Sequence, residues 1–395
     1  MSDEEQTRRS GGGGVDVVVV GGGAVGVCTA YYLSSLGRRV AVVEKTGVAC
    51  AASGKAGGFL ARDWCDGGPT EALARAGFDL HASLAEEHDN PWEYRRLNTI
   101  AVKHFTRSKD KVRTKSTPWI DGSSSKEQVL GTPETTAQVT PGKFVRALMQ
   151  AAQSRGAVLV EEEVTGLITA EGDGDGREGK GGEATTTADA TADARNPRIT
   201  GVRLASGQEL RAPKVVLAMG PWTHVAREWL RSVPDITGDK AHSIVLRPPQ
   251  DSGIDATAVF IGYSDKGKME HPEIYPRPDG SVYVCGCGDN TPLPPSAGDI
   301  TPSAGRCEAL REIAGRLSSH LHGLVPETTQ ACYLPISPDG LPAIGELCSG
   351  LYVAAGHSCW GILMSPSTGR AMAEFLTSGA ATSVDIRAFD PKRLI

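Results

Sequence analysis

Aromatic residues are scarce in this chain, at 5% of 395 positions, and no apolar run reaches the length of a bilayer-crossing helix. An excess of either charge is also missing. Lys and Arg number 41 against 47 Asp and Glu, a formal net charge of −6. The first absence excludes a helical membrane span, and the second leaves no electrostatic footprint for nucleic acid. The nine cysteines form no C-x-x-C and no metal-type spacing, so reduced thiols and no bound metal are expected. The opening MSDEEQTRRSGGGG lacks the apolar core of a secretory signal, so residues 1–14 read as a disordered tail. The last residues, KRLI, are not a peroxisomal S-K-L ending, and a cytoplasmic location is expected.

Glycine, by contrast, is plentiful at 48 residues, and its placement carries the first positive signal. Val15–Val20 is an apolar run suited to a buried parallel strand. Gly21, Gly23 and Gly26 then spell G-x-G-x-x-G, and Ala24–Leu36 is rich in helix formers up to Gly37. A second apolar strand, Arg39–Val43, ends in Glu44. Gly21 permits a tight turn, Gly23 lets the backbone approach a pyrophosphate, and Gly26 lets helix and strand pack closely. The helix start, at Ala24 and Val25, offers unpaired N–H groups and a positive dipole end to phosphates. Glu44 sits where a carboxylate can accept from a ribose diol. Together these parts read as a dinucleotide site, for FAD or NAD alike.

The far end of the chain separates the two. Gly350–Ala355 is another buried-strand signal, followed by Gly356-His357 and then a glycine-started helix, GILMSPSTG, from Gly361. Such a helix aims its N-terminus past the sheet edge, where a ring gaining negative charge on reduction would be stabilised. Between the ends, Lys214–Gly220 is a strand running into glycine, with Pro221 and Trp222 after it. In order, the chain carries GGGAVG with Glu44, SGKAGG at Ser53–Gly58, VVLAMGPW, PDGLPAIG at Pro338–Gly345 and GHSCWGILMSP. This ordered set resembles the D-amino-acid oxidase, glycine oxidase and sarcosine oxidase family of FAD enzymes over nearly the whole chain. The QACYLPISPDGLPAIGE and SGKAGGFLA segments look most like fungal and plant members described only as oxidoreductases.

The resemblance implies an α/β fold, a Rossmann-like FAD-binding domain interleaved with an α+β substrate domain built on an antiparallel sheet. The FAD-binding part takes 15–65, 140–230 and 335–395, and the substrate-binding part 66–139 and 231–334. Thr140 as N-cap and Pro141 at the first turn open a helix over Phe144–Arg155 that stops at Gly156, and Ala157–Ile168 and Ile199–Leu204 read as strands. The stretch between them, 170–197, has almost no large apolar residues and reads as a disordered insertion. Glu71–Glu87 is an amphipathic helix with Leu73, Ala76, Leu80 and Leu84 at helical spacing. Short strands at His242–Leu246, Ala258–Gly262, Glu273–Tyr275 and Ser281–Cys285 would roof the flavin, with a helix over Pro302–Leu321 outside them.

By the same resemblance the cofactor touches Gly21, Gly23, Ala24, Val25, Gly26, Glu44, Lys45, Ser53, Lys55, Ala56, Gly57 and Gly58. Further on it touches Val164 under the adenine, then Ala218, Gly220, Trp222, Gly356, His357, Gly361, Ile362 and Leu363. The implied chemistry is oxidation of the C–N bond of an amino acid or secondary amine. A hydride passes to flavin N5, the imine hydrolyses, and O2 or another acceptor takes the electrons. Arg62 and Arg277 are the candidate carboxylate anchors, because a planar guanidinium can bond both oxygens, and each has a surface-charge alternative. His357 would donate to a flavin carbonyl or merely hold the loop. Cys332, seven residues before Asp339, has the separation of the flavin-linking Cys of monomeric sarcosine oxidases. Two features depart from those enzymes: Leu363 replaces their substrate-pairing Lys, and SVYVCG at Ser281–Gly286 lacks their O2-activating Lys. Sarcosine is therefore disfavoured as substrate. A dehydrogenase with a non-oxygen acceptor, or a flavoprotein with a mainly non-catalytic trafficking or assembly role, stays open.

Overall fold

Residues 14–105, 117–125, 127–170, 197–265 and 268–395 are described in a computed structural model of the chain. Most of the expected tail at 1–14 and of the insertion at 170–197 lies outside them.

The first strand, Val17–Val20, is fully apolar because both of its faces are covered. It pairs in parallel with Val40–Val43 on one side and Lys214–Leu217 on the other. Val158–Val160 adds beyond Val40–Val43, and Leu351–Ala355 beyond Lys214–Leu217, both parallel. Ala343–Cys348 closes the edge antiparallel, giving a six-stranded sheet. One face carries helices α1 (Ala24–Ser35), α2 (Glu71–Glu87), α3 (Pro141–Ser154), and, past the intervening chain, α5 (Gly361–Ser378), which share one apolar core; α4 (Ala304–Leu317) lies elsewhere. The other face carries the antiparallel strands Val164–Thr169, Ile199–Leu204 and Glu209–Arg211 over a second core. All nine cysteines are free thiols.

Segments 66–139 and 231–334 contribute a separate eight-stranded sheet, the roof. Its order is Thr328–Ile336, Thr237–Leu246, Val282–Asp289, Glu273–Pro276, Thr257–Asp265, Asn98–Phe105 and Gln128–Gly131, with Lys268–Glu270 paired to Thr257–Asp265. All pairings are antiparallel except Thr257–Asp265 with Asn98–Phe105. The expected antiparallel roof is therefore mixed, because these two strands are joined by a long excursion rather than a hairpin. Helix α4 covers its outer face with Cys307, Leu310, Ile313 and Leu317.

Three local expectations are corrected. Ala157–Ile168 is two strands in two different sheets, broken at Glu161–Glu163. Glu162 accepts from the Ser206 N–H and Glu163 pairs with Lys45, so the chain turns where carboxylates must reach water and partners. The helix expected over Pro302–Leu321 ends at Leu317, where Asp121 takes the Ser319 N–H at 2.7 Å and redirects the chain. At the start of α3, the Thr140 hydroxyl donates to Glu93 at 2.7 Å instead of capping the helix.

The helix layer depends on missing side chains. A Cβ on Gly369 of α5 would lie 2.5 Å from the Cys28 carbonyl carbon in α1, and one on Gly77 of α2 would lie 2.2 Å from the Leu363 oxygen. Neither neighbour is a flexible side-chain end that can swing away. Gly369→Ala is expected to cost about 2–3 kcal/mol through forced separation of α1 and α5, and to lower the melting midpoint by several degrees. Gly166→Ala, at a strand position with open space around it, should leave the midpoint nearly unchanged in the same calorimetric scan.

Candidate active site

The carboxyl ends of the parallel strands open onto an elongated cleft of about 1380 Å³, its open mouth included. Its near end is the turn after Val17–Val20. Gly21 has φ +113°, and a Cβ there would strike the Ala218 carbonyl at 2.4 Å. Gly26 sits against the Gly21 carbonyl, where a Cβ would approach to 2.1 Å. Helix α1 thus starts at the cleft floor with first-turn N–H groups that have no partners within the helix. The Ser53 hydroxyl accepts from Ala24 N–H at 2.8 Å, tying the single turn Ala52–Lys55 to that helix start.

Glu44 ends the second strand, and its carboxylate braces the turn. Oε2 accepts from Gly22 N–H at 2.6 Å, and Oε1 from Thr46 and Gly47 N–H at 2.8 and 3.3 Å. Oε2, with one donor, keeps a second lone-pair site for a diol. Lys45, bonded to Glu163 at 2.8 Å, and buried Val164 line the cleft beside it. The opposite end is walled by Gly356, His357, Gly361 and Ile362, where α5 points its N-terminus at the space. Gly23, Val25, Ala56, Ala218, Gly220 and Trp222 complete the expected lining. A long slot with an anion-seeking helix start in the middle, a diol acceptor at one end and a second helix start at the other fits FAD. The residues that would hold its pyrophosphate are Gly23 to Val25, and its ribose Glu44.

Other expected residues lie behind this lining. Gly26 packs helix on strand. Gly57 faces the roof, where a Cβ would meet the Tyr275 ring at 2.5 Å. Gly58 has φ +82° and abuts the Val139 carbonyl. The Lys55 carbonyl takes the Tyr283 hydroxyl at 2.7 Å and Gln330 Nε2 at 3.1 Å. Leu363 is 1% exposed and packs in the helix core, so a Lys at that position would point into apolar packing. His357 is buried, and its Nε2 meets the Thr368 hydroxyl of α5 at 3.0 Å, which holds the loop to the helix.

The two arginines have different surroundings. Arg62 is held by a two-point contact to Asp79, 3.1 and 3.2 Å, on a partly exposed surface. Arg277 begins the hairpin Arg277–Ser281, and its guanidinium lies 4.7 Å from the Tyr283 ring centre. Among the described residues its side chain makes one long hydrogen bond, 3.5 Å, to the Ala56 carbonyl, and its Nε is buried without a partner. Burial lowers its proton affinity but leaves it cationic. Cys332 is buried on Thr328–Ile336, and burial pushes its thiol up to about 11, so the neutral form dominates at pH 7.

Several contributors carry no sequence signal. Ser296 and Ala297 close over the cleft, with Ser296 Oγ 3.2 Å from Thr46 Oγ1 and the Pro294 carbonyl accepting from Trp222 at 2.7 Å. Arg95 donates to the Pro276 carbonyl at 2.6 Å and so fixes the backbone next to Arg277. Cys359, exposed into the cleft, follows Ser358 at φ +51°. Ser296 and Arg95 come from segments far from the motifs, and only the folded chain brings them in.

A family model described as FAD-dependent oxidoreductase (DAO) matches residues 16–375. A Schizosaccharomyces pombe protein, named as an oxidoreductase with no stated substrate, is 33% identical over 93% of this chain and 95% of its own. A glycine oxidase of Pseudomonas aeruginosa is 28% identical over 49% of each chain. The solved glycine oxidase of Geobacillus kaustophilus shares the fold with a TM-score of 0.76 at 24% identity, covering 96% of this chain and 99% of its own. The chain belongs to the DAO family of FAD-dependent oxidoreductases. Among the described residues, no helix is long and apolar enough to cross a membrane.

Two outcomes test this geometry. Gly23→Val would press a branched side chain against Ser53 Oγ, 3.2 Å from the first added carbon, and into the phosphate approach. The purified variant should lose at least about nine-tenths of its flavin absorbance per mole. The second concerns His81 of α2, buried, with Nε2 2.8 Å from the Ile362 carbonyl at the start of α5. Burial lowers its pKa to about 4, as it does for His357. The unfolded chain therefore binds protons that the folded one refuses. Stability should fall as pH drops below about 6.5, and the loss should level off below about 4. His81→Gln should flatten that fall by at most about 3 kcal/mol, read from denaturant midpoints across the range.

Proposed function

We propose that this chain oxidises the C–N bond of an amino acid or N-substituted amino acid, with Arg277 as the carboxylate anchor. The observation that carries the reading is the state of Arg277: a sequestered guanidinium stacked on Tyr283 with donors left over. A buried cation with unmet hydrogen-bonding capacity is costly unless an anion completes it. Arg62, already engaged by Asp79, is the weaker candidate.

Bound FAD supplies the acceptor for a hydride from the carbon that carries the nitrogen. The chain's own residues bind, orient and dry the substrate. Arg277 fixes the carboxylate, so the reacting carbon is displaced from it by a bond length, not free to tumble. Tyr275, stacked between Phe59 (ring centres 5.7 Å) and Tyr283 (6.1 Å), is buried and packs the roof behind Arg277. Trp64 and Trp360, edge to face at 6.2 Å, close the side. Exclusion of water favours loss of a hydride from an uncharged amine and strengthens the Arg277 contact. The α5 N-terminus, steadied by neutral His357, offers positive potential where negative charge accumulates. The roof strand Val282–Asp289 has no lysine, which favours an electron acceptor other than O2.

Anaerobic mixing with a panel of D- and L-amino acids and N-methyl amino acids should bleach the flavin. Arg277→Met should retain its FAD yet need roughly a hundredfold more substrate for half-maximal bleaching, the range expected for a lost charge-assisted pair. A loaded wild-type protein that no amine bleaches would sink the reading.

A further inference from the structure

The roof presents a polar row on its cleft-facing side. Strand register aligns Gln330 with Ser243, Ser243 with Cys285, and Cys285 with Glu273. Gln330 is satisfied by Ser243 Oγ at 3.0 Å and the Lys55 carbonyl at 3.1 Å. Glu273 is not satisfied in the same way. Its Oε2 accepts from the Tyr275 hydroxyl and sits 3.5 Å from the Cys285 thiol, and neither neighbour is a cation. No described residue bonds Oε1. Burial pushes the carboxyl up from its ordinary range. Yet Glu273 and Cys285 both keep accessible surface, although protein surrounds them closely. Cys359, which lines the cleft, lies within range of the Glu273 charge, so Glu273 faces the Cys359 end of that cleft, a recess under the roof.

Arg277 follows directly after that strand and meets the carbonyl of Ala56, another residue of the cleft wall. Four residues of extended chain put the two backbones at most about 13 Å apart. No ion pair joins Glu273 to Arg277. The anion and the cation are thus separate anchors on the inner side of the roof, beside the packed rings of Tyr275 and Phe260, whose centres lie 6.0 Å apart. An α-amino group lies too near its own carboxylate to reach from one to the other.

We propose that Glu273 binds a second, cationic nitrogen of the substrate, remote from the carboxylate held by Arg277. The substrate class is then a diamino carboxylic acid of ornithine length or slightly longer, or its N-alkyl derivative. This deepens the reading that Arg277 is the carboxylate anchor and rests on it. A neutral side chain in the recess would leave Glu273 facing apolar groups without a cation. An ammonium there completes its free oxygen and restores the ionised form.

The test compares ornithine with norleucine, which has the same chain length and a methyl in place of the ammonium, each in both stereochemical forms. Binding to the FAD-loaded enzyme is read by perturbation of the flavin spectrum and by anaerobic bleaching. The wild type should half-saturate at roughly ten- to hundredfold lower ornithine than norleucine. In Glu273→Gln that ratio should fall to near one, and in Glu273→Asp it should be intermediate. Equal affinities in the wild type, absence of any perturbation by either compound, or a preference that survives Glu273→Gln would overturn the proposal. The wild-type ratio stands as a test even if the variants lose their flavin. Tighter ornithine binding without bleaching would uphold the Glu273 anchor while rejecting the redox reading.

Discussion

The structure hinges on one close approach: the first turn after Val17–Val20, wedged between Ala218 and the start of α1. The Gly21 carbonyl lies where a Gly26 Cβ would be, and the Ala218 carbonyl where a Gly21 Cβ would be. Three chain segments therefore meet backbone to backbone. That contact sets the direction of α1, which presents its unpaired N–H groups to the cleft. It also brings the end of Lys214–Leu217, and with it Gly220 and Trp222, to the same edge. Helix α5 then docks on α1 at the same scale of intimacy, Gly369 against Cys28. The second wall of the cleft is thus positioned through the first.

The roof is placed by a different kind of contact, side chain to backbone. The Tyr283 hydroxyl and Gln330 amide both reach the Lys55 carbonyl, on the chain that leads from the Ser53 tie to Gly57. Gly57 in turn lies under the Tyr275 ring. The segment Ser53–Gly58 is consequently a spacer pinned at both faces, to α1 below and to the roof above. Its small residues serve this double contact as much as the cofactor, since a Cβ on Gly54 would strike the Ala49 carbonyl at 2.0 Å.

The Rossmann half was readable in the sequence because each part has a local signature. An apolar strand, a glycine with positive φ and a helix start are fixed by residues within a few positions of one another. Glu44, at the end of its strand, belongs to the same local set. The roof was legible as strands but not as topology, for the parallel pairing of Thr257–Asp265 with Asn98–Phe105 depends on an excursion of more than a hundred residues. The site contributors without local signals share that feature. Ser296 reaches the cleft through Thr46, 250 positions away, and Arg95 braces Arg277 through the Pro276 carbonyl, 181 positions away. Between Arg62 and Arg277 sequence offered no choice. The folded chain gives them different surroundings: Asp79 pairs with one, and the other keeps a buried unpartnered Nε.

The roof's inner face also shows where the fold accepts a stability cost. Its outer face is largely apolar, with Ile244, Val284, Ile274 and Val259 packed on α4, and its buried Lys240 and His242 are paired with Asp289. The inner face, on the same strands, interrupts that pattern with Gln330, Ser243, Cys285 and Glu273. Replacing the row by aliphatic side chains would satisfy strand periodicity and remove a buried acid, so packing alone gives no reason for it. Gln330 and Ser243 bond to each other and to the Lys55 carbonyl, and so have a structural task. Glu273 does not: its tyrosine and thiol neighbours could be satisfied by a neutral amide. A carboxyl kept in that position, near the Cys359 end of the cleft, is what the proposed cationic substrate group would complete. Places where a sequence breaks its own local rule without a compensating contact inside the protein are where function is to be sought.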